Sequence, residues 1–156
     1  MEKNLVIAID GPSGCGKSTI AQLLAKKLDI LFLSTGFIYR AFGYACKEKG
    51  LNPESEQDAQ KLVDLNITVE FKNGKQLVIL NGQDITSKIT NEEIGAMASL
   101  ISKHKCIREK CVEIQRQIAQ NQSIVVDGRD IGSVGLPNAN FKFYLDADIS
   151  ERAKRR

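Results

Sequence analysis

Leu5-Val6-Ile7-Ala8-Ile9 is an unbroken apolar run rich in β-branched residues, the pattern of a parallel strand buried on both faces. Behind the glycines that follow it, Ile20, Leu23, Leu24 and Leu28 recur at helical spacing and predict an amphipathic helix with those four on its apolar face. Ile30-Leu31-Phe32-Leu33 predicts a second short strand. Beyond Ser34-Thr35-Gly36, the spacing of Ile38, Tyr39, Phe42 and Cys46 predicts a helix that ends at Gly50-Leu51-Asn52-Pro53. Ser55 then caps a further helix with Ala59, Leu62 and Val63 on one face. From residue 66 to 86 the period changes to two. Ile67, Val69 and Phe71 alternate with polar residues, Asn73-Gly74 turns the chain, and Leu77 to Leu80 lead to a second Asn81-Gly82. This predicts a hairpin or small meander separate from the parallel sheet. Helical spacing resumes through Ile94, Met97, Ala98 and Ile101, and again through Ile107, Cys111, Ile114 and Ile118. Ser123 to Val126 and Phe141 to Leu145 predict two more strands, and a helix is expected from Asp146 to Arg156.

Strands alternating with helices give an α/β fold with a parallel sheet flanked by helices and a small antiparallel β insertion. No repeat or low-complexity linker divides the chain. We expect a single domain whose core comprises residues 1–34 and 121–156, with 35–120 as an inserted region. A length of 156 residues suits one domain, and 42% hydrophobic with 26% charged residues is ordinary for a globular protein. No stretch approaches the ~20 apolar residues of a membrane span, and the N-terminus does not read as a secretory signal. A cytoplasmic location follows as the expectation, with no membrane partner.

The net charge of +3 is too small to argue for nucleic acid. The basic cluster Arg152, Lys154, Arg155 and Arg156 reads as a solvated helix face. Cys15, Cys46, Cys106 and Cys111 form no C-x-x-C pair and no metal-ligand spacing; they read as reduced thiols. His104, the one histidine, reads as a solvated junction between helices.

The chemistry concentrates in Gly11-Pro12-Ser13-Gly14-Cys15-Gly16-Lys17-Ser18, which fits G-x-x-x-x-G-K-[ST] between a strand and a helix. Glycines let backbone N–H groups turn inward around phosphate oxygens, and the helix N-terminus adds partial positive charge. Lys17 is then placed to reach β- and γ-phosphates, and the Ser18 hydroxyl to ligate Mg2+. Asp127-Gly128-Arg129-Asp130 follows the strand at 123–126, and ligands of open parallel sheets collect at such carboxyl ends. Arg40, Arg108 and Arg129 are candidates to grip a second phosphate, because guanidinium groups bind phosphate in two places. Asp127 suits an outer-shell Mg2+ partner and Asp130 an acceptor for a base amino group, although strand-end capping would also explain both.

These residues, with Thr35-Gly36-Phe37-Ile38-Tyr39-Arg40, Ala98-Ser99, Ile107-Arg108, Gln115-Arg116, Asp130-Ile131-Gly132-Ser133 and Glu151-Arg152-Ala153-Lys154-Arg155-Arg156, make a set of ordered motifs. In them the chain resembles the bacterial cytidylate kinases, nucleoside monophosphate kinases of the P-loop class, over essentially its whole length. The resemblance implies a P-loop NTPase-type sheet with 66–86 as the small β insertion of the monophosphate-binding region. It implies ATP and Mg2+ as cofactors, with Gly11 to Thr19 binding the nucleotide, and CMP and dCMP as substrates. Thr35, Arg40 and Arg129 would hold the CMP phosphate, and Ser99, Arg108 and Asp130 the cytosine edge. Lys17, Arg129 and Asp130 would act in an in-line transfer without a covalent intermediate.

Ser34 stands where the family usually has an acidic residue, Thr90 where it has an arginine, and Gly135 where it has a longer apolar residue; Ser133 replaces a threonine and keeps the hydroxyl. Family members also continue well past the position of Arg156, through a lid over ATP and residues completing the CMP site. The resemblance therefore implies poor turnover for a chain of this length, and a monomer for the complete fold. A shikimate or adenylate kinase of the same class, and a nucleotide-binding module without turnover, are the competing readings.

Overall fold

The computed structural model describes residues 4–12 and 14–146. Its elements in chain order are β1 (Val6–Asp10), α1 (Lys17–Leu28), β2 (Leu31–Ser34), α2 (Thr35–Glu48), α3 (Glu56–Gln60), β3 (Ile67–Lys72), β4 (Lys75–Leu80), β5 (Gln83–Asp84), α4 (Glu92–Ile101), α5 (Lys105–Asn121), β6 (Ile124–Gly128) and β7 (Phe141–Tyr144). One π turn, Ile131–Gly135, lies between β6 and β7. Ser13, the basic cluster and the helix expected after Asp146 fall outside the described residues. The contacts divide the chain into two compact units, Met1–Ser34 with Gln115–Arg156, and Thr35–Ile114.

The first unit is built on a parallel sheet in the order β2-β6-β1-β7. β6 is buried along its whole length, as an inner strand covered on both faces must be. Ile7, Ile9 and Val125 pack against Ala21 and Ala25 of α1, with Leu24 beside them. The helix face is therefore not the one its large residues predict. Ile20, Leu23 and Leu28 are exposed, because α1 is seated on the sheet through its alanines, and only Leu24 of the expected four joins the contact. Phe141 and Phe143, aligned with Ile7 and Ile9 across the ladder, stay about half exposed on the edge strand β7. The Gln115 side-chain oxygen stands 2.7 Å from where a Cβ on Gly135 would be. A larger residue there would displace that oxygen, which ends a flexible side chain, so the glycine lets Gln115 lie against the turn.

The second unit joins α2 to α4 and carries the antiparallel sheet β3-β4-β5. Two-residue loops close both hairpins, with positive φ at Asn73 and Gly74 and again at Asn81 and Gly82, as the twist of short hairpins demands. Asn91 caps α4 by accepting the Ile94 N–H at 2.9 Å, and Ser55 caps α3 through Asp58. Ile38, Phe42, Ile94, Ile101 and Ile107 are fully buried here. His104 is half-buried rather than solvated. Its Nε2 lies 2.8 Å from the Pro53 carbonyl oxygen, tying the α4–α5 junction to the loop before α3.

α2 and α4 approach closely because position 43 has no side chain. A Cβ on Gly43 would lie 2.9 Å from the Ala98 backbone nitrogen and 3.2 Å from the Ile94 carbonyl oxygen. Backbone cannot yield as a flexible side chain can, so Gly43→Ala is expected to cost about 1–3 kcal/mol through overpacking. In urea unfolding this appears as a lower midpoint at unchanged slope.

Candidate functional site

At the carboxyl end of β1 the chain turns at Gly11, whose N–H donates to the Gly128 carbonyl at the end of β6 (3.2 Å). A Cβ on Gly11 would collide with the Leu145 carbonyl oxygen and lie 2.8 Å from Cys15 Sγ, so the backbone passes here only as glycine. Cys15 is buried and fills the space beneath that turn, a packing role. Gly16 caps α1 with φ 89°, a left-handed conformation that costs glycine little. Lys17 and Ser18 then open the first turn of α1, where unpaired N–H groups and the helix dipole favour an anion. Thr19 follows, exposed on that turn.

Register brings β6 alongside. Ile9 pairs with Asp127, Asp10 with Gly128, and Ser34 at the end of β2 with Asp127 from the other side. The Asp127 carboxylate is buried and hydrogen-bonds to the hydroxyls of Ser18 and Ser34, with Lys17 near enough to act on its charge. Burial pushes the Asp127 carboxyl above its ordinary range and the charge of Asp10 adds to this; the Ser18 hydroxyl, Lys17 and the Ser34 hydroxyl pull the other way without cancelling it. Arg129 and Asp130 follow at the strand end and are exposed. The Asp130 carbonyl accepts the N–H groups of Val134 (2.8 Å) and Gly135 (3.2 Å) and so opens the π turn.

Ser18 and Asp127 give a hydroxyl and a carboxylate in contact, hard oxygen donors of the type Mg2+ takes. No cluster of three His, Cys, Asp or Glu is present among the described residues. That donor set fits Mg2+, which keeps waters and substrate phosphates as ligands instead of relying on a protein cage.

The other candidate residues lie in the second unit. Thr35 is buried at the start of α2. Arg40, one turn further on, donates from Nη1 to the carbonyls of Ile89 (2.7 Å) and Asn91 (3.0 Å). Its Nη2 would stand 2.8 Å from a Cβ at position 95, so Gly95 makes room for the guanidinium against α4. Ser99 lies one turn after Gly95 on that helix and is exposed. Arg108 donates from Nη1 to the carbonyls of Lys103 (2.6 Å) and Ser102 (3.3 Å), closing the C-terminal end of α4. Each arginine thus commits one guanidinium nitrogen to backbone carbonyls and keeps further N–H donors, since the group has five.

Sequence reasoning passed over Asp10 and the Ser34 hydroxyl. An acidic residue closing an otherwise apolar strand was the available signal for the first. A cavity of about 470 Å3 opens at the other end of β1, beside Val6, Leu136 and Asn138, and none of the candidate residues lines it. Among the described residues, no helix is long and apolar enough to cross a membrane.

A family profile described as cytidylate kinase matches residues 7–156. The chain is 44% identical over 158 residues to a cytidylate kinase of Geobacillus sp. (strain WCH70), covering 100% of this chain and 70% of the relative. It is 42% identical, with the same coverage, to the cytidylate kinases of Bacillus thuringiensis (strain Al Hakam) and Bacillus cereus (strain AH187). The match runs through the glycine turn at the end of β1, the Asp127 strand end and the Arg40 helix alike, and the chain belongs to the cytidylate kinase family of ATP-using phosphotransferases.

Proposed function

We propose that this chain transfers the γ-phosphoryl group of ATP to CMP or dCMP, giving ADP and the corresponding diphosphate. The observation that carries the reading is the Asp127 carboxylate bonded to the Ser18 hydroxyl beside Lys17, at the carboxyl ends of β1 and β6. That is where a phosphate-binding helix start and a metal-orienting carboxylate must coincide in phosphoryl transfer.

In this reading the segment Gly11, Pro12, Ser13, Gly14, Cys15, Gly16, Lys17, Ser18 and Thr19 cradles the ATP phosphates. The residues after Pro12 offer backbone N–H groups and the first turn of α1, while Gly11, whose N–H is given to Gly128, and Pro12, which has none, shape the turn. Lys17 neutralises charge that builds on the transferring group. Ser18 would hold Mg2+ through its hydroxyl, which Asp127 orients, and the ion would supply positive charge against the phosphates. Thr35, Arg40 and Arg129 bind the acceptor phosphate, and Ser99, Arg108 and Asp130 bind the cytosine edge. Arg40 does so with the N–H donors it does not spend on Ile89 and Asn91. The acceptor phosphate oxygen attacks in line, and no protein nucleophile is needed, so rate comes from positioning and charge. The same reading takes the enzyme to be a cytoplasmic monomer that engages neither nucleic acid nor membrane.

An ADP-release assay with Mg-ATP and CMP, dCMP, UMP, AMP or shikimate tests this. ADP formation that depends on CMP and dCMP is the expected result. Release driven by AMP or shikimate instead would assign a different acceptor, and ATP binding with no acceptor-dependent release would leave a nucleotide-binding module.

A further inference from the structure

We propose that Asp10 is a positioning residue for the phosphoryl acceptor: its carboxylate holds the backbone of the turn that begins at Arg129 and Asp130. The inference rests on the assignment of Arg129 and Asp130 to acceptor binding made above.

Asp10 is 8% exposed and ends β1. One carboxylate oxygen accepts the Ile131 N–H at 2.7 Å, the other accepts the Gly132 N–H at 2.8 Å, and both bonds are buried. Bonds from N–H groups to an ionised carboxylate are the strong kind, and two to one rigid group fix orientation as well as distance. Gly132 permits this approach. A Cβ there would lie 3.3 Å from Asp10 Oδ2 and 3.2 Å from Lys142 Cδ, tighter than ordinary contact.

The far end of the same turn is held by a charge of opposite sign. Arg116 of α5 donates from Nε to the Gly135 carbonyl (3.0 Å) and from Nη2 to the Val134 carbonyl (3.1 Å). An anion therefore sits on the free N–H groups and a cation on the free carbonyls of one short turn, the arrangement that backbone dipoles favour. Neither residue belongs to the turn. Asp10 is set by the β1–β6 ladder, where it pairs with Gly128, the residue before Arg129. The ladder thus reaches Arg129 and Asp130 from two sides, through the chain from Gly128 and through the Asp10 carboxylate to Ile131. The Asp10 main chain serves other contacts, its carbonyl accepting the Leu145 N–H at 2.8 Å. Its carboxylate accepts from the turn at 131–132, so its loss should fall on the acceptor more than on ATP.

Asp10→Asn keeps the size but replaces one acceptor oxygen with an NH2 group that faces an N–H. We expect the dissociation constant for CMP to rise about tenfold or more, since displacement of about 1 Å in a positioning group can cost a hundredfold. Binding of a non-hydrolysable ATP analogue with Mg2+ should change less than threefold, and amide hydrogen exchange at Ile131 and Gly132 should quicken. Arg116→Gln, a change at an exposed residue that threatens folding less, should show the same CMP-selective pattern at smaller size. Arg129→Ala, measured alongside, reports on the underlying assignment. If Arg129→Ala weakens CMP binding while Asp10→Asn loses exchange protection but binds CMP as the parent does, the positioning role is overturned alone. If Asp10→Asn weakens CMP and the ATP analogue equally, the residue serves the phosphate loop and the proposal fails. If Arg129→Ala leaves CMP binding unchanged, the acceptor assignment falls and this inference with it.

Discussion

Lys17→Met is expected to lower kcat for CMP phosphorylation by about a thousandfold or more, with far-UV circular dichroism unchanged. The side chain stands in the first turn of α1, where the backbone supplies only partial positive charge. It is the cation whose field reaches the buried Asp127 carboxylate. Methionine keeps the length and the aliphatic packing of the stem and removes the ammonium alone. The ground-state triphosphate retains the loop N–H groups and Mg2+, so KM for ATP should rise by much less than kcat falls. Charge that shifts in the transition state loses its preorganised partner, and single donors or cations aimed at such charge are worth about 10²–10⁵ in rate. Single-turnover measurement of γ-phosphoryl transfer separates this loss from product release. A kcat within tenfold of the parent would remove Lys17 from the chemistry and leave it a binding residue.

Much of this arrangement was legible beforehand, for reasons that differ from element to element. β1 and β6 were visible because strands covered on both faces must be apolar throughout. The hairpins at 67–84 were visible because Asn-Gly pairs supply the two positive φ values that short loops require. Lys17 and Ser18 were visible because phosphate binding constrains glycine, lysine and hydroxyl at fixed spacing. The contact face of α1 was misjudged, since the pattern weights large apolar residues and the sheet takes Ala21 and Ala25. Periodicity reports which residues share a face, whereas the distance of approach decides which face is used. The partners of Arg40 and Arg108 were also beyond reach. Each bonds to carbonyls, and nothing in the identity of Ile89, Asn91, Ser102 or Lys103 marks its main chain as an acceptor. The partners of Asp10 were hidden in the same way, being the N–H groups of Ile131 and Gly132, although its place as an acidic residue closing an apolar strand marked the residue itself.

Asp127→Asn is expected to raise thermal stability at neutral pH while cutting Mg2+-dependent phosphoryl transfer by about a hundredfold or more, the scale of lost preorganised charge. Burial raises the Asp127 carboxyl above its unfolded value, so the folded chain holds that proton more tightly than the unfolded chain does. Its contribution to stability is then fully present below the unfolded-state value and is lost as pH rises through the raised folded value. Once ionised, the buried carboxylate is a cost that the Ser18 and Ser34 hydroxyls and Lys17 only partly offset. Asparagine keeps a carbonyl oxygen for one hydroxyl and carries no charge to desolvate. The variant should melt above the parent at pH 7, and the difference should shrink as pH falls through the range where Asp127 takes up its proton. A melting series from pH 7 to 4, run beside activity at saturating Mg2+, reads both effects. A difference that grows toward acid would mean the carboxylate stabilises the fold in its ionised form, and the sign of its burial cost would be reversed. Ser34 makes the test sharper in this chain. An acidic residue in its place would set a second negative charge beside Asp127 across the β2–β6 register, whereas the hydroxyl donates to the carboxylate and favours its ionised form. Adding Ser34→Ala to both the parent and the Asp127→Asn variant should therefore widen the stability gap between them, because it removes a bond that only the charged group uses fully.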